Sequence, residues 1–163
     1  MKVLWIEDNA ENDLYELTSP VYVDGRFKLD IAASASEAYF YLNSRIYDIV
    51  IIDIRIPPGR DEVWVKLHQQ LQFKNGSDSS RLGLELLKSI FSDLGPQPNL
   101  KIHQNSGAHR YGVFTVEQRE ELEADLAKLN LAKVKYRRKN AMMPHTALLD
   151  FIREVAKNGQ SSH

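Results

Sequence analysis

Glu7 and Asp8 stand together near the start of the chain, Asp53 closes a run of β-branched residues, Ser106 follows a polar stretch, and Lys139 ends a basic one. Those residue types can do phosphoryl chemistry if they meet. Three carboxylates crowded together repel one another and raise each other's pKa. A hard divalent cation removes that penalty, and Mg²⁺ suits carboxylate and carbonyl oxygens plus waters. A hydroxyl and a lysine beside them supply a donor and a positive charge for phosphoryl oxygens. An aspartate can itself be the nucleophile and carry the group as an aspartyl-phosphate.

Strand ends are what would bring these residues together. Asp48–Ile49–Val50–Ile51–Ile52–Asp53 is an almost unbroken β-branched run, stopped by Pro57–Pro58–Gly59. Such a run reads as a strand covered on both faces, as in a parallel sheet. Ligands of open α/β sheets collect at the carboxyl ends of the strands, which is where Asp53 falls. Val3–Leu4–Trp5–Ile6 is a second buried-type strand and ends on Glu7–Asp8–Asn9.

The bulk composition narrows the class. The chain has 163 residues, 43% hydrophobic and 26% charged, as expected of one globular domain with a real core. A net charge of −1 argues against nucleic-acid binding by bulk electrostatics. With no cysteine there is neither a disulfide framework nor a thiolate metal site. No apolar run is long enough to span a membrane, and Glu7–Asp8 come too early for a signal peptide. A cytoplasmic protein is expected.

The remaining elements follow from pattern. A helix is predicted over about 10–18, closed by Pro20, and the Asp24–Gly25 pair suggests a small hairpin over 21–27. Phe27, Leu29 and Ile31 alternate with polar residues and predict a strand. Ser34 and Glu37 have capping-box spacing and open a helix to about Ser44. Val63, Leu67 and Leu71 predict an amphipathic helix over 62–73, with Trp64 and Val65 fitting its face less well. Asn75–Ser80 reads as a polar loop, and Leu82, Leu86 and Ile90 predict the next helix.

A fourth strand is expected at Leu100–Asn105, although His103–Gln104–Asn105 is polar, and it ends at Ser106–Gly107. Residues 109–114 then read as extra loop, and Thr115 with Gln118 as a second capping box. The helix that follows has a seam at Leu122, Leu126 and Leu129. Ala132–Lys139 is an alternating basic strand suited to a sheet edge, and a last helix runs from Met142 to about Ala156. Strand and helix alternate throughout, which implies a parallel sheet with helices on both faces. One domain over 1–157 is expected, with 60–80 inserted after the third strand and 158–163 a flexible tail.

Taken in order, these residues resemble the response regulator receiver domain of two-component signalling. The resemblance rests on Val3–Leu4–Trp5–Ile6–Glu7–Asp8–Asn9, Ala33–Ser34–Ala35–Ser36–Glu37–Ala38, Asp48–Ile49–Val50–Ile51–Ile52–Asp53–Ile54–Arg55–Ile56–Pro57 and Gly83–Leu84–Glu85–Leu86–Leu87. It implies a flavodoxin-like, doubly wound α/β fold with a five-stranded parallel sheet in the order 2-1-3-4-5. It implies Asp53 as phosphoacceptor, and Mg²⁺ held by Glu7, Asp8, Asp53 and the Arg55 backbone carbonyl. Ser106 matches the switch hydroxyl, Lys139 the phosphoryl-pairing lysine, and Tyr136 the switch aromatic; Gly107 is small, as access to the phosphoryl group requires. Implied partners are a histidine kinase or phosphotransfer protein and a downstream protein, with a homodimer left open and neither membrane nor nucleic acid expected. At most, the chemistry is self-phosphorylation from a phosphodonor and autodephosphorylation.

The sequence departs from the pattern in three places. Asn140 follows Lys139 where the family usually has proline. A cis bond before Asn would cost about 3–4 kcal/mol, so a trans bond is expected. Residues 60–80 are an insertion, and the fourth strand is polar. The resulting expectation is a stand-alone atypical receiver in a phosphorelay; the alternative is a phosphorylation-independent pseudo-receiver acting as an interaction module. A Mg²⁺-dependent phosphohydrolase would need a second acid two residues after Asp53, where Arg55 stands. Blander readings sit beside the sharp ones. Asp53 and Glu7–Asp8 could cap adjacent elements, His103 could be a buried core histidine, and the basic run 133–139 a solvated edge. Trp64, Leu67 and Leu71 could cover the sheet or face a partner.

Overall fold

The computed structural model describes residues 1–75, 80–92 and 107–160. Strands β1 (Lys2–Ile6), β2 (Lys28–Ala32), β3 (Ile49–Ile52), β4 (Tyr111–Thr115) and β5 (Lys135–Arg138) form one parallel sheet in the order β2-β1-β3-β4-β5. The helices are α1 (Ser19–Asp24), α2 (Ala35–Ser44), α3 (Glu62–Asn75), α4 (Leu82–Phe91), α5 (Arg119–Lys128) and α6 (Ala147–Gln160). This is the doubly wound arrangement expected from the alternation of strand and helix patterns.

The central strands are apolar all along because both sheet faces are covered. One face, with Leu4, Ile6, Val50, Ile52, Tyr111 and Val113, packs under α2 to α5. The other, with Val3, Trp5, Ile49, Ile51 and Phe114, packs under α1 and α6. Half of the Ser34–Glu37 capping box forms: the Ser34 hydroxyl accepts from the Glu37 amide at 3.2 Å, while the Glu37 carboxylate accepts from the Ala33 amide, one residue before the cap, at 2.7 Å. The first link satisfies an amide that the helix start would otherwise leave without a partner, and the second ties the chain entering the helix to its first turn.

The helix predicted over 62–73 forms as α3. Trp64 and Leu67 are buried in the same core as α2 and α4, and Leu71 packs against it. Trp64 meets Tyr39 of α2 edge to face, with ring centroids 6.1 Å apart. Its position off the narrow apolar stripe reflects a second contact direction, toward α2. That settles the two readings of this face in favour of core. The His68 ring and the Ser80 hydroxyl, 2.6 Å apart, tie α3 to the chain that re-enters α4. Most of α4 is buried, including Gly83, Glu85 and Ser89, so this helix is apolar beyond a single stripe.

Several local expectations are corrected. Pro20 opens α1 instead of closing a helix over 10–18, because proline suits the first helical turn, where its missing N–H is not needed. Residues 19–24 are helical and not half of a hairpin; Gly25, at φ 72°, ends that helix in the left-handed conformation. The predicted fourth strand at 100–105 lies outside the described residues, as does His103, and the sheet takes Tyr111–Thr115 instead, all of it buried. The polar departure from the pattern therefore disappears from the sheet. Thr115 is a strand residue, and Gln118 caps α5 with no side-chain bond, so the second capping box is absent. β5 is shorter than forecast, and α6 starts at Ala147.

Candidate functional site

Parallel pairing alone brings β1 and β3 to one rim. The Asp53 amide donates to the Ile6 carbonyl at 3.0 Å, and the Glu7 amide to Ala32 at 2.9 Å, so the ladder runs on to the acidic residues. On the other side of β3, the Lys139 amide donates to the Thr115 carbonyl at 2.8 Å. Sequence-distant groups are thereby held by backbone bonds.

At this rim Glu7 and Asp53 are buried, and Lys139 is only 8% exposed. The Lys139 ammonium donates to Asp53 Oδ2 at 2.7 Å and, at very short range, to Glu7 Oε2. Glu7, Asp8 and Asp53 each offer an oxygen, all lying within 4.8 Å of one another. Three carboxylates against one ammonium leave two negative charges, which a divalent cation would match; an all-oxygen donor set suits Mg²⁺. The Asn9 amide donates to Glu7 Oε1 at 3.1 Å, and the Arg55 amide reaches Asp53 Oδ1 at 3.4 Å. The Lys139–Asn140 bond is trans, as expected, since no cis peptide occurs among the described residues.

Burial pushes the Glu7 carboxyl up to about 7, against the opposing pull of the Lys139 ammonium, and Asp53 adds to the rise. Burial also works against the charge on Lys139, but Asp53 and Glu7 outweigh it and hold the ammonium above its ordinary range. A proton on Glu7 would compete with a bound cation. Mg²⁺ affinity should therefore weaken as pH falls below about 7, by up to about tenfold per pH unit. Calorimetric titration across that range checks this; an affinity that does not change with pH would rule it out.

Among the predicted residues, the structure brings together Glu7, Asp8, Asp53 and Lys139, with Arg55 next to them. Ser106 lies outside the described residues. The strand-end hydroxyl beside β3 belongs to Thr115, which is fully buried and which sequence reasoning assigned to a helix cap. Its signal was available: Tyr111–Phe114 is apolar, and Thr115 ends it with a helix pattern following. The residue after Thr115 is Val116, 52% exposed, in the place where Gly107 was expected to leave room.

Glu117 is the other residue the sequence did not reveal. Its carboxylate is buried and binds the Arg55 Nε at very short range and the Arg81 guanidinium at 3.1 Å. Burial would raise this carboxyl, but the Arg55 hydrogen bond and the Arg81 charge bring it below its ordinary value. Tyr136, in register with Val113, is partly buried, and its hydroxyl donates to the Glu117 carbonyl at very short range. The predicted switch aromatic thus touches the loop that follows Thr115.

The same architecture occurs in solved receiver structures. A response regulator receiver domain protein from Methanospirillum hungatei superposes with a TM-score of 0.59 at 16% identity, covering 99% of this chain and 98% of that one. This chain has the receiver-domain fold. The receiver domain of a Francisella response regulator gives a TM-score of 0.54 at 16% identity, covering 99% and 98%. A Burkholderia pseudomallei response regulator, solved with a phosphorylated aspartic acid, calcium ion and citrate, gives 0.54 at 18% identity, covering 98% of this chain and 71% of that one. No family model and no curated protein matches the sequence. At such identities the receiver-like likeness is one of fold. Among the described residues no helix is long and apolar enough to cross a membrane.

Proposed function

We propose that the chain is a single receiver domain, over 1–157, that accepts a phosphoryl group on Asp53 in a phosphorelay and signals to a protein partner. The observation that carries this reading is the convergence of Glu7, Asp8, Asp53 and Lys139 at one strand-end rim. Such an arrangement is suited to stabilising negative charge that develops during phosphoryl transfer.

An Asp53 carboxylate oxygen attacks the phosphorus of a phosphohistidine on a kinase or phosphotransfer protein. The P–N bond breaks as the O–P bond forms, and the imidazole leaves with the electron pair and gains a proton. Glu7, Asp8, Asp53 and the Arg55 carbonyl would hold Mg²⁺, which when bound supplies positive charge to the phosphoryl oxygens. Lys139 exchanges its contact with Asp53 Oδ2 for one with a phosphoryl oxygen. The Thr115 hydroxyl takes the role first assigned to Ser106, as a donor to the phosphoryl group. Water later attacks the phosphorus, Asp53 leaves as carboxylate, and inorganic phosphate is released.

Incubation with phosphoramidate and Mg²⁺ tests this by intact mass. The expected result is a gain of one phosphoryl group in the natural chain and none in Asp53→Asn. No gain in the natural chain would favour the pseudo-receiver, in which Lys139 serves to neutralise Glu7 and Asp53 and the fold acts as an interaction module.

A further inference from the structure

A cavity of about 620 Å³ lies between α2 and the chain that runs from β3 into α3. Small-molecule sites usually hold roughly 300–1,000 Å³. None of Glu7, Asp8, Asp53 and Lys139 lines it. Its walls are fixed by backbone bonds. The Pro57 and Pro58 carbonyls accept from the Ala35 and Ser36 amides at 2.9 and 3.0 Å. The Ser36 hydroxyl donates to the Pro58 carbonyl and accepts from the Asp61 amide at 3.0 Å. Gly59, at φ 79°, permits the close approach, because a Cβ there would lie 2.5 Å from Ser34 Oγ. The Glu37 amide is bound to Ser34 Oγ as well, so the first amides of α2 are already engaged. The helix start therefore offers no anion site of its own, and recognition falls to side chains.

Three kinds of side chain line the cavity. Phe40 is an exposed aromatic, and its neighbour Tyr41 has its ring covered by the Arg45 guanidinium at 4.7 Å, so Phe40 presents the open ring. Arg60 is exposed and has no ion-pair partner among the described residues. Glu37 gives Oε2 to the Ala33 amide and has Oε1 unengaged among the described residues. Each of these groups suits one part of a nucleotide. A base stacks on an aromatic ring with little regard to its identity. A guanidinium matches a phosphate, and a carboxylate accepts from ribose hydroxyls. An apolar ligand would leave Arg60 and Glu37 unused, and a free phosphate would leave Phe40 unused.

We propose that the cavity between α2 and Gly59–Arg60 binds a nucleoside monophosphate, with the base on Phe40, the ribose hydroxyls on Glu37 and the phosphate on Arg60. The site is separate from the strand-end rim and does not depend on Asp53 being the phosphoacceptor.

Titration of the ¹⁵N-labelled full chain with AMP, GMP, adenosine and inorganic phosphate, followed by amide shifts, tests this. AMP and GMP should shift amides of residues 34–41 and 59–61 with similar affinity. Adenosine should bind the same site about tenfold more weakly, having lost the charge-assisted bonds to Arg60. Inorganic phosphate should bind more weakly still. Phe40→Ala should weaken AMP about tenfold through loss of stacking. Arg60→Gln should bring AMP down to the affinity of adenosine and leave adenosine unchanged. No saturable shift at these amides with AMP or GMP overturns the proposal. Inorganic phosphate binding as tightly as AMP reduces the site to a simple anion contact and overturns it too, and equal affinity for AMP and adenosine removes the phosphate from Arg60. The natural-chain comparison decides the matter even if a variant folds poorly.

Discussion

Replacing Lys139 with methionine should destabilise the metal-free protein by about 3 kcal/mol at slightly alkaline pH, the size expected when one partner of a buried ion pair is removed. The ammonium lies between Glu7 and Asp53, both buried. Methionine fills most of its volume, so the loss is electrostatic. The effect should depend on pH. Glu7 in the folded chain already titrates near 7, above its ordinary value, because of burial. Removing Lys139 takes away the main force pulling it down. A carboxyl raised in the folded state costs no stability while protonated in both states, at acid pH. It costs progressively more as pH rises from its unfolded value toward its folded one, at about 1.4 kcal/mol per pH unit for one proton. The variant should therefore lie closer to the natural chain at mildly acid pH and fall behind as pH rises. Mg²⁺ should recover much of the difference by taking over the cationic role. Urea denaturation at two pH values, with and without Mg²⁺, measures all three effects. Natural-like stability of Lys139→Met at alkaline pH without Mg²⁺ would refute this account of the site.

Gly83→Ala should be comparably damaging, for a steric reason. A Cβ at Gly83 would lie 2.2 Å from the Asp53 carbonyl oxygen and 2.6 Å from the Ile54 Cα. Both neighbours are backbone and cannot rotate aside. The Gly83 amide also donates to the Ile54 carbonyl at 2.9 Å, pinning the start of α4 to the chain just beyond β3. A methyl group there must push α4 off the sheet or move the backbone of Asp53 itself. Overpacking of this kind costs about 3 kcal/mol. Phosphoryl transfer needs near-attack geometry, and a shift of about 1 Å can cost about a hundredfold in rate. Thermal melting and the rate of phosphoryl gain from phosphoramidate should fall together. If the alanine variant both melts and reacts like the natural chain, the close approach of α4 to Asp53 does not govern the site.

Much of the fold was legible because its signals are local. The β-branched run before Asp53, the Ser34–Glu37 cap and the period of Val63, Leu67 and Leu71 each depend on residues near in sequence. The errors fell where two local signals compete. Pro20 both ends and begins helices, and Asp24–Gly25 suits a hairpin as well as a helix exit. Between α4 and α5 the apolar residues of 100–102 drew the strand assignment away from Tyr111–Thr115. Tyr111–Thr115 has the stronger strand propensity of the two, with its aromatic and β-branched residues, and it pairs with β3 and β5.

The sequence by itself determined the chemistry available here: two acids after the first strand, Asp53 after the third and a lysine after the fifth, on a chain whose alternating pattern requires a parallel sheet. Backbone order was enough for that, because parallel winding puts every strand's carboxyl end on one rim. Only the tertiary structure decided that Thr115 ends β4, that Lys139 bridges Glu7 and Asp53, and that Arg55 and Arg81 close on Glu117. Those contacts join side chains from separate elements across the sheet. Their partners are selected by register, burial and charge in the folded state, which no pattern of neighbours along the chain specifies.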